Sequence, residues 1–267
     1  RDRNTDTVDY LKLAYLQALS IKATQKINSY AVIVDTKTLA QVTDRHRSVF
    51  DYVVELPTDN NTQEHRFANE IQAFRLTPFK ETIKAESDLL FTNNIDHWWS
   101  AFRKKDIVMS HGCLNWQQQS ASSRAYRKFF DDNYLPDVYT GLMYFRYSQT
   151  AYDFFNLAKQ IQDNWTELKN SVLINCREDS PSTDVLYAVT ADLFGRENCT
   201  MPTMDFIKFV HMKPAINNWL DGWTNAVISE VDDTTLRINN LNQYAPVHYQ
   251  TKEFATDDLI EHYERII

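Results

Sequence analysis

Apolar runs and polar breaks alternate along the first ninety residues and predict alternating helices and strands. Apolar positions at helical spacing, from Leu11 to Ile21, predict a helix over residues 8–27. The run Tyr-Ala-Val-Ile-Val-Asp at 30–35 predicts a buried strand that ends in an acid, and residues 52–56, closed by Pro57, predict a second strand. This alternation is typical of an α/β fold with a mainly parallel central sheet.

The rest of the chain continues the pattern with one long interruption. Residues 80–84 are expected to continue a helix into a strand at about 84–91, and residues 111–136, rich in Gln and Ser, are expected to form a long functional loop. Further helices are predicted near 38–47, 65–74, 95–104, 151–169, from 183 and over 256–266, and further strands at 106–110, 137–147 and 206–214.

The length of 267 residues suits one large α/β domain with an appendage. We assign residues 1–225 to the main domain and 226–267 to a C-terminal extension whose terminal helix packs on that domain. In a Rossmann-like sheet a strand precedes the first helix and carries the first nucleotide-binding turn. We therefore infer that the first strand is missing from this chain, and part of the base pocket with it.

Composition removes several classes of protein. The formal charge of −8 disfavours a general nucleic-acid binder, and four glycines leave no glycine-rich phosphate loop. No run approaches the roughly 20 apolar residues of a membrane span, and the first twenty residues do not resemble a signal peptide. Three scattered cysteines indicate reduced thiols, so a cytoplasmic location is expected, or the host cytoplasm for a viral protein.

Two acids one residue apart, Glu86 and Asp88, follow a short apolar run. In an extended segment residues i and i+2 point to the same side, so both carboxylates can reach one site. Mg²⁺ and Mn²⁺ prefer such hard oxygen ligands, often shared with substrate phosphates. The alternative interpretation is a solvated strand end, because acids at this spacing are common in acidic proteins.

A second apolar run, over residues 206–214, contains His211 and Lys213 before Pro214. A neutral imidazole suits a transition metal, and an ammonium two residues later lies on the same face of a strand, where it can neutralise a phosphate. The alternatives are a core histidine with satisfied hydrogen bonds and an exposed lysine before a turn.

In order and spacing these segments resemble the GT-A nucleotide-sugar glycosyltransferases over roughly residues 8–225. Glu86-Ser87-Asp88 resembles the Asp-any-Asp metal motif, and Tyr-Thr-Gly-Leu-Met-Tyr-Phe at 139–145 resembles the Asn-Ala/Ser-Gly-Val-Met-Leu-Phe segment. Phe-Val-His-Met-Lys-Pro at 209–214 is similar to a contracted His-Phe-x-Gly-x-x-Lys-Pro-Trp segment of glycogenin-like enzymes. The chain departs from the pattern at Glu86, at Tyr139 in place of Asn, and in lacking the glycine between His211 and Lys213.

The resemblance implies a Rossmann-like GT-A fold and metal-dependent sugar transfer from a nucleotide-diphosphate donor, most simply a UDP-sugar, with retained configuration. It implies Mn²⁺ or Mg²⁺ as the cofactor. The residues that it assigns are Asp88, His211 and Glu86 to the metal, Asp35, Lys80, Glu86, Ser87, Gly141 and Lys213 to the donor, and Asp184 and Lys213 to catalysis.

Two other functions fit the same residues. A nucleotidyltransferase shares the Rossmann-like sheet and the metal carboxylates, although it ordinarily has a glycine-rich nucleotide loop. A non-catalytic nucleotide- or sugar-binding module would keep the fold without turnover. The acceptor of a transferase could equally be a glycan, a protein or a modified nucleic-acid base. Residues 111–136 are expected to contact it or to form a lid over the donor.

Overall fold

The computed structural model describes residues 8–60, 67–121, 124–200 and 207–267 of a mixed α/β chain. The helices are α1 (Tyr10–Thr24), α2 (Thr36–Leu39), α3 (Asp44–Arg47), α4 (Ala73–Leu76), α5 (Trp98–Phe102), α6 (Arg124–Asp132), α7 (Gln149–Asp163), α8 (Trp165–Ser171), α9 (Thr183–Phe194), α10 (Arg196–Cys199), α11 (Pro214–Asn217), α12 (Trp223–Ala226) and α13 (Asp257–Ile266). Short 3-10 helices span Glu70–Gln72 and Lys252–Phe254.

The strands are short, with one exception. They are β1 (Ala31–Val34), β2 (Tyr52–Glu55), β3 (Glu81–Ala85), β4 (Leu89–Leu90), β5 (Ile107–His111), β6 (Cys113–Leu114), β7 (Ser120–Ala121), β8 (Val138–Arg146), β9 (Val210–His211), β10 (Ser229–Asp232), β11 (Thr235–Ile238), β12 (Leu241–Asn242) and β13 (Val247–His248). The exception is β8, which is buried from Val138 to Phe145 and forms the centre of the molecule.

The described strands form four small sheets. β1 and β2 pair in parallel, and β8 lies between β3 and β5, antiparallel to both. A third sheet has the order β4-β13-β9-β6-β7, in which β9 runs parallel to β13 and to β6. β10, β11 and β12 form an antiparallel meander.

The predicted mainly parallel sheet is not what the described strands show, since most of their pairings are antiparallel. Strand–helix alternation implies parallel pairing where a helix crosses between neighbouring strands, as it does between β1 and β2. The other partners are distant in sequence. β13, which follows residue 225, is inserted between β4 and β9, and local periodicity carries no information on such pairing.

Several predicted elements are confirmed and others are corrected. The first helix begins at Tyr10, where the side chain of Asp9 accepts a 3.0 Å bond from the amide of Lys12 as a cap. The helix predicted over 80–84 is wrong, because Glu81–Ala85 forms β3, opposite Arg146–Leu142 of β8. The expected long loop at 111–136 contains β6, β7 and α6. The predicted strand at 206–214 is confirmed only at Val210–His211, and Phe206 lies outside the described residues.

Two helical layers cover the sheets. α7 and α9 pack on β8 through aromatic side chains, with the rings of Phe154 and Tyr187 stacked at 6.0 Å. α13 packs against α1, where the hydroxyl of Tyr15 donates a 2.7 Å bond to Glu264. The terminal helix therefore lies against the first helix, while the domain boundary at residue 225 stays a prediction. No helix in the described ranges has the length and apolarity needed to cross a membrane.

Phe154 provides a test of this core. Its ring is fully buried and contacts Phe155, Tyr187 and Phe194 at 5.4–6.0 Å between centroids. Phe154→Ala should lower the free energy of unfolding by about 3–5 kcal/mol, because a large cavity replaces the ring. Tyr152→Ala, on the exposed side of the same helix, is the matched control and should change it by less than about 1 kcal/mol. Urea unfolding of both variants checks the difference, and equal losses would contradict the packing described.

Candidate metal centre

Glu86 and Asp88 occupy the tight turn between β3 and β4. The amide of Glu86 donates to the carbonyl of Gly141 at 2.9 Å, which extends the β3–β8 ladder by one pair, and the amide of Leu89 donates to the carbonyl of Glu86 at 3.1 Å. The sequence predicted that an extended strand would align the two acids. The structure brings them together through a turn instead.

A third ligand group completes the cluster, and it comes from β13. His248 lies opposite Leu89 in the β4–β13 pairing, and its Nε2 is 3.2 Å from Oε2 of Glu86 and 3.0 Å from Oδ2 of Asp88. One ligand atom from each of the three side chains lies within 4.8 Å of the others, so the group could hold a metal ion. Two carboxylates and an imidazole form a mixed oxygen and nitrogen set, which suits Mn²⁺ better than Mg²⁺.

The backbone around Glu86 is held from two sides. Gln17 of α1 donates its side-chain amide to the carbonyl of Glu86, and its own oxygen accepts a 2.8 Å bond from the hydroxyl of Tyr30. On the other side, a Cβ at Gly141 would lie 3.2 Å from Cζ of Phe209 and 3.6 Å from Oε2 of Glu86. The glycine therefore leaves room for the Glu86 carboxylate beside the Phe209 ring.

Charge compensation keeps Asp88 ionised although it is buried. Burial alone would raise the pKa of Asp88, but His248 and Lys252 outweigh it and hold this pKa well below its usual range. Lys252 forms an ion pair with Oδ2 of Asp88, the same oxygen that contacts His248. Burial would lower the pKa of His248, yet Asp88 and Glu86 together raise it. Burial, reinforced by the charge of Asp88, raises the pKa of Glu86 despite the pull of His248.

His211 lies beside this cluster and not among its three ligand groups. It pairs with His248 across the parallel strands β9 and β13, and the two rings stack at 4.7 Å with an angle of 4° between their planes. Burial, together with the charges of His248 and Lys213, lowers the pKa of His211 well below its ordinary value. Its buried Nδ1 has no hydrogen-bond partner among the described residues, so a neutral imidazole stands next to the candidate ligands.

The two predicted catalytic residues lie close to the cluster in different environments. Asp184 is fixed to β8, since its Oδ1 accepts 2.8 Å bonds from the amide and hydroxyl of Thr140 and its Oδ2 accepts a 2.9 Å bond from Arg127. Lys213 is half-buried at the start of α11. Burial lowers the pKa of Lys213, and the charges of Asp184 and Glu86 oppose that shift.

A cavity of about 620 Å³ lies alongside the cluster. Ser87 lines it directly, and so does Asp35, whose carboxylate caps α2 by accepting a 2.7 Å bond from the amide of Thr38. Lys84 also lines the cavity, where it forms an ion pair with Glu70. A mainly apolar cleft with a few polar groups is the usual form of a small-molecule site.

Lys80 is not brought to this site. It is exposed and precedes β3, whereas Glu86 follows the same strand. Six extended residues separate two side chains by about 20 Å. Lys84, which ends the segment predicted as a helix, is instead the lysine of this segment that lines the cavity.

His248 and Lys252 are the site residues that sequence reasoning missed. They follow Asp88 by 160 and 164 positions and belong to the segment predicted to be an extension. The short apolar run Pro-Val-His-Tyr at 246–249, which ends an Asn-rich stretch, resembles the run around His211 in its pattern. That similarity was the available signal for a second histidine at the end of a strand.

No protein-family model matches the chain, and no curated protein matches it in sequence. A function for this chain therefore has to be argued from the arrangement of its described side chains.

The three-residue cluster predicts a single Mn²⁺ site. His248→Ala should weaken Mn²⁺ binding by about tenfold or more, because the imidazole is one of three ligand groups. His97→Ala, an exposed histidine on the N-terminal side of α5, is the control and should bind as the parent chain does. Titration followed by Mn²⁺ electron paramagnetic resonance checks both variants, and unchanged binding by His248→Ala would exclude this cluster as the metal centre.

The ion pair between Lys252 and Asp88 predicts that removing the lysine has the opposite effect on Mn²⁺ affinity. Its ammonium neutralises the oxygen of Asp88 that a metal ion would need, so Lys252→Met should tighten Mn²⁺ binding by roughly tenfold while lowering the melting temperature of the metal-free protein. Lys252→Arg keeps the charge and should show neither effect. Weaker binding by Lys252→Met would mean that the lysine supports the metal site and does not compete with it.

Proposed function

We propose that this protein is a metal-dependent glycosyltransferase of the GT-A type that uses a nucleotide-diphosphate sugar, most simply a UDP-sugar. The observation that carries the proposal is the convergence of Glu86, Asp88 and His248 at the turn between β3 and β4. Two carboxylates with an imidazole at the end of a strand suit a metal–diphosphate complex.

Asp88 and His248 would hold the ion, with Glu86 either as a third ligand or as a contact to the sugar or ribose. A bound divalent cation supplies charge neutralisation of the diphosphate leaving group. Lys213 would support the same role from the protein side, since its half-buried ammonium interacts electrostatically with Glu86 and Asp184. Transfer breaks the bond between the anomeric carbon and the diphosphate oxygen, which keeps the electron pair. The acceptor oxygen bonds to that carbon, and its proton passes to the departing diphosphate.

Asp184 would position the transferred sugar. Its carboxylate is locked by three hydrogen bonds from Thr140 and Arg127, and the guanidinium of Arg127 is fully buried 3.6 Å above the ring of Tyr139. A group held so firmly is preorganised to accept bonds from sugar hydroxyls on its remaining lone pairs. Tyr139 occupies the position at which the GT-A enzymes have Asn, and its ring packs against the guanidinium of Arg127.

The resemblance also implies the finer elements of the proposal, a Rossmann-like sheet and a catalytic domain over residues 1–225. The cytoplasmic location is proposed from the three scattered cysteines. His248 and Lys252 come from the segment 226–267, which therefore belongs to the proposed active site as well. Retention of anomeric configuration remains part of the proposal, and the acceptor would be a glycan, a protein or a modified nucleic-acid base.

A non-catalytic nucleotide- or sugar-binding module is the second candidate. Lys252 supplies the specific observation that favours it, because its ion pair with Asp88 already neutralises the best candidate ligand. In such a module the lysine would replace the metal ion permanently, and a nucleotide would bind without turnover. A nucleotidyltransferase remains the enzymatic alternative.

Ligand-dependent melting tests donor binding. UDP with Mn²⁺ should raise the melting temperature of the parent chain, since a ligand at 100 times its dissociation constant stabilises the native state by about 2.7 kcal/mol. EDTA should abolish the shift, and so should Asp88→Asn. Asp163→Asn removes one charge from an exposed i,i+4 pair with Lys159 and is the control that should keep the shift. If neither UDP nor GDP shifts the transition with Mn²⁺, the donor site is not where we place it.

Slow hydrolysis of the donor separates the enzyme from the binding module. Incubation of the parent chain with UDP-glucose and Mn²⁺ should release UDP, and Lys213→Ala should reduce the rate by about 100-fold because one stabilising charge is lost. The release is measured by a coupled UDP assay. UDP binding without UDP release, with UDP-galactose and UDP-N-acetylglucosamine also tested, would favour the module.

A further inference from the structure

Two strand edges face the same cavity, and each belongs to a different sheet. β1 pairs with β2 and β3 pairs with β8, and among the described strands each has a partner on one side only. The cavity of about 620 Å³ is lined by every residue from Ala31 to Val34 and by every residue from Glu81 to Ala85. Side chains of a strand alternate between its two faces, so a cavity on one face would touch alternate residues. Contact with all of them places the cavity along the edges.

The hydrogen-bond register shows which backbone groups of β1 point into this space. The carbonyls of Tyr30 and Val34 accept bonds from the amides of Tyr52 and Leu56. In a parallel pair alternate residues bond to the same neighbour, so the N–H and C=O groups of Ala31 and Ile33 point away from β2. Among the described residues, no backbone hydrogen bond is formed by these groups.

The same reasoning applies to β3. The bonds from Glu86 to Gly141 and from Tyr147 to Lys80 fix the hydrogen-bonded pairs of the antiparallel ladder. Since such pairs recur at every second residue, the remaining positions direct their backbone groups away from β8. These positions are Glu81, Ile83 and Ala85, and within the described part of the chain their backbone groups have no hydrogen-bond partner either.

Helices border the space between the edges. Leu11, Ala14 and Ile21 of α1 line it, and so do Ala73 and Leu76 of α4. The lining therefore contains apolar side chains of two helices, while the two strand edges supply rows of backbone donors and acceptors. Unpaired backbone groups at a covered apolar site are costly, and nearly all such groups in native proteins are paired.

We propose that this space is a slot for one extended apolar strand of polypeptide, joined to the protein ahead of α1. The backbone of such a strand would accept and donate hydrogen bonds along both walls. Its side chains would pack alternately against the apolar residues of α1 and α4. It would join the two small sheets into one sheet of order β2-β1-strand-β3-β8-β5. A strand buried on both faces has a continuous run of Val, Ile and Leu.

The position of α1 indicates that the strand directly precedes this helix in the chain. Tyr10 and Leu11, at the start of α1, line the slot, and α1 continues into β1. A strand placed directly before α1 would thus lie parallel to β1 with α1 as its crossover helix, which is the standard right-handed connection between neighbouring parallel strands. The proposal is independent of the glycosyltransferase activity, because it concerns only the backbone edges.

The test supplies the strand and measures its hydrogen bonds. The sequence Val-Ile-Val-Val-Ile-Val is fused through a Gly/Ser linker ahead of Arg1, and the control fusion has Pro and Asp in place of the third and fourth residues. Amide hydrogen exchange, read residue by residue by NMR, should slow by about tenfold or more at Ala31, Ile33, Ile83 and Ala85 in the first fusion only. The melting temperature should rise in that fusion and not in the control.

Ile33→Pro tests the same wall by another route. The amide of Ile33 points away from β2, so proline there should leave the β1–β2 pairing intact and cancel the effect of the fused strand. Slow exchange at these amides in the chain without any fusion would overturn the proposal, because the slot would then be closed. Equal exchange in the two fusions would also overturn it. The strand is assigned to the same chain as the slot, and two results would overturn that assignment. One is equally slow amide exchange when the unfused peptide is added at equimolar concentration, and the other is exchange that slows further as the protein concentration rises.

Discussion

The ionised carboxylate of Asp88 is the group on which the centre of this molecule depends. A buried charge without a partner is far too costly to persist, so the chain has to bring cations to it. It does so with His248 and Lys252, which lie on β13 and in a short 3-10 helix more than 150 residues downstream. The amide of Tyr249 adds a 3.1 Å bond to the carbonyl of Asp88. The C-terminal segment is therefore fastened to the β3–β4 turn by the charge as well as by strand pairing.

A second buried charge system stands beside the first and orders β8 from the other side. Arg127 donates to the carbonyl of Val138 and to Asp184, and Asp184 in turn holds Thr140. Lys84, paired with Glu70, reaches the carbonyl of Thr140 at 3.4 Å. The burial of Lys84 would lower its pKa, but Glu70 and Glu86 raise it. Buried charges of both signs thus lie around β8, and Glu70 and Glu86 favour the charged form of Lys84.

The sequence predicted local features well and long-range partners poorly. The helix at α1 and the strand at β1 follow from apolar spacing, and the acids at 86 and 88 were found because their spacing is local. The strand β3 was placed wrongly as a helix, because Glu81-Thr-Ile-Lys-Ala85 has no strict alternation and its pairing with β8 decides its form. His248 could not be assigned for the same reason, since pairing between β13, β4 and β9 connects segments that share no local signal.

β3 links the two regions for which we propose roles. Its edge forms one wall of the slot, and its end carries the Glu86 amide that bonds to Gly141. An edge strand with hydrogen bonds on one side only opens more readily than a central strand, because fewer bonds must break. A strand in the slot would make β3 central and would hold the turn of Glu86 and Asp88 more firmly. Because metal affinity depends on preorganised ligands, the geometry of the candidate centre is coupled physically to the occupancy of the slot.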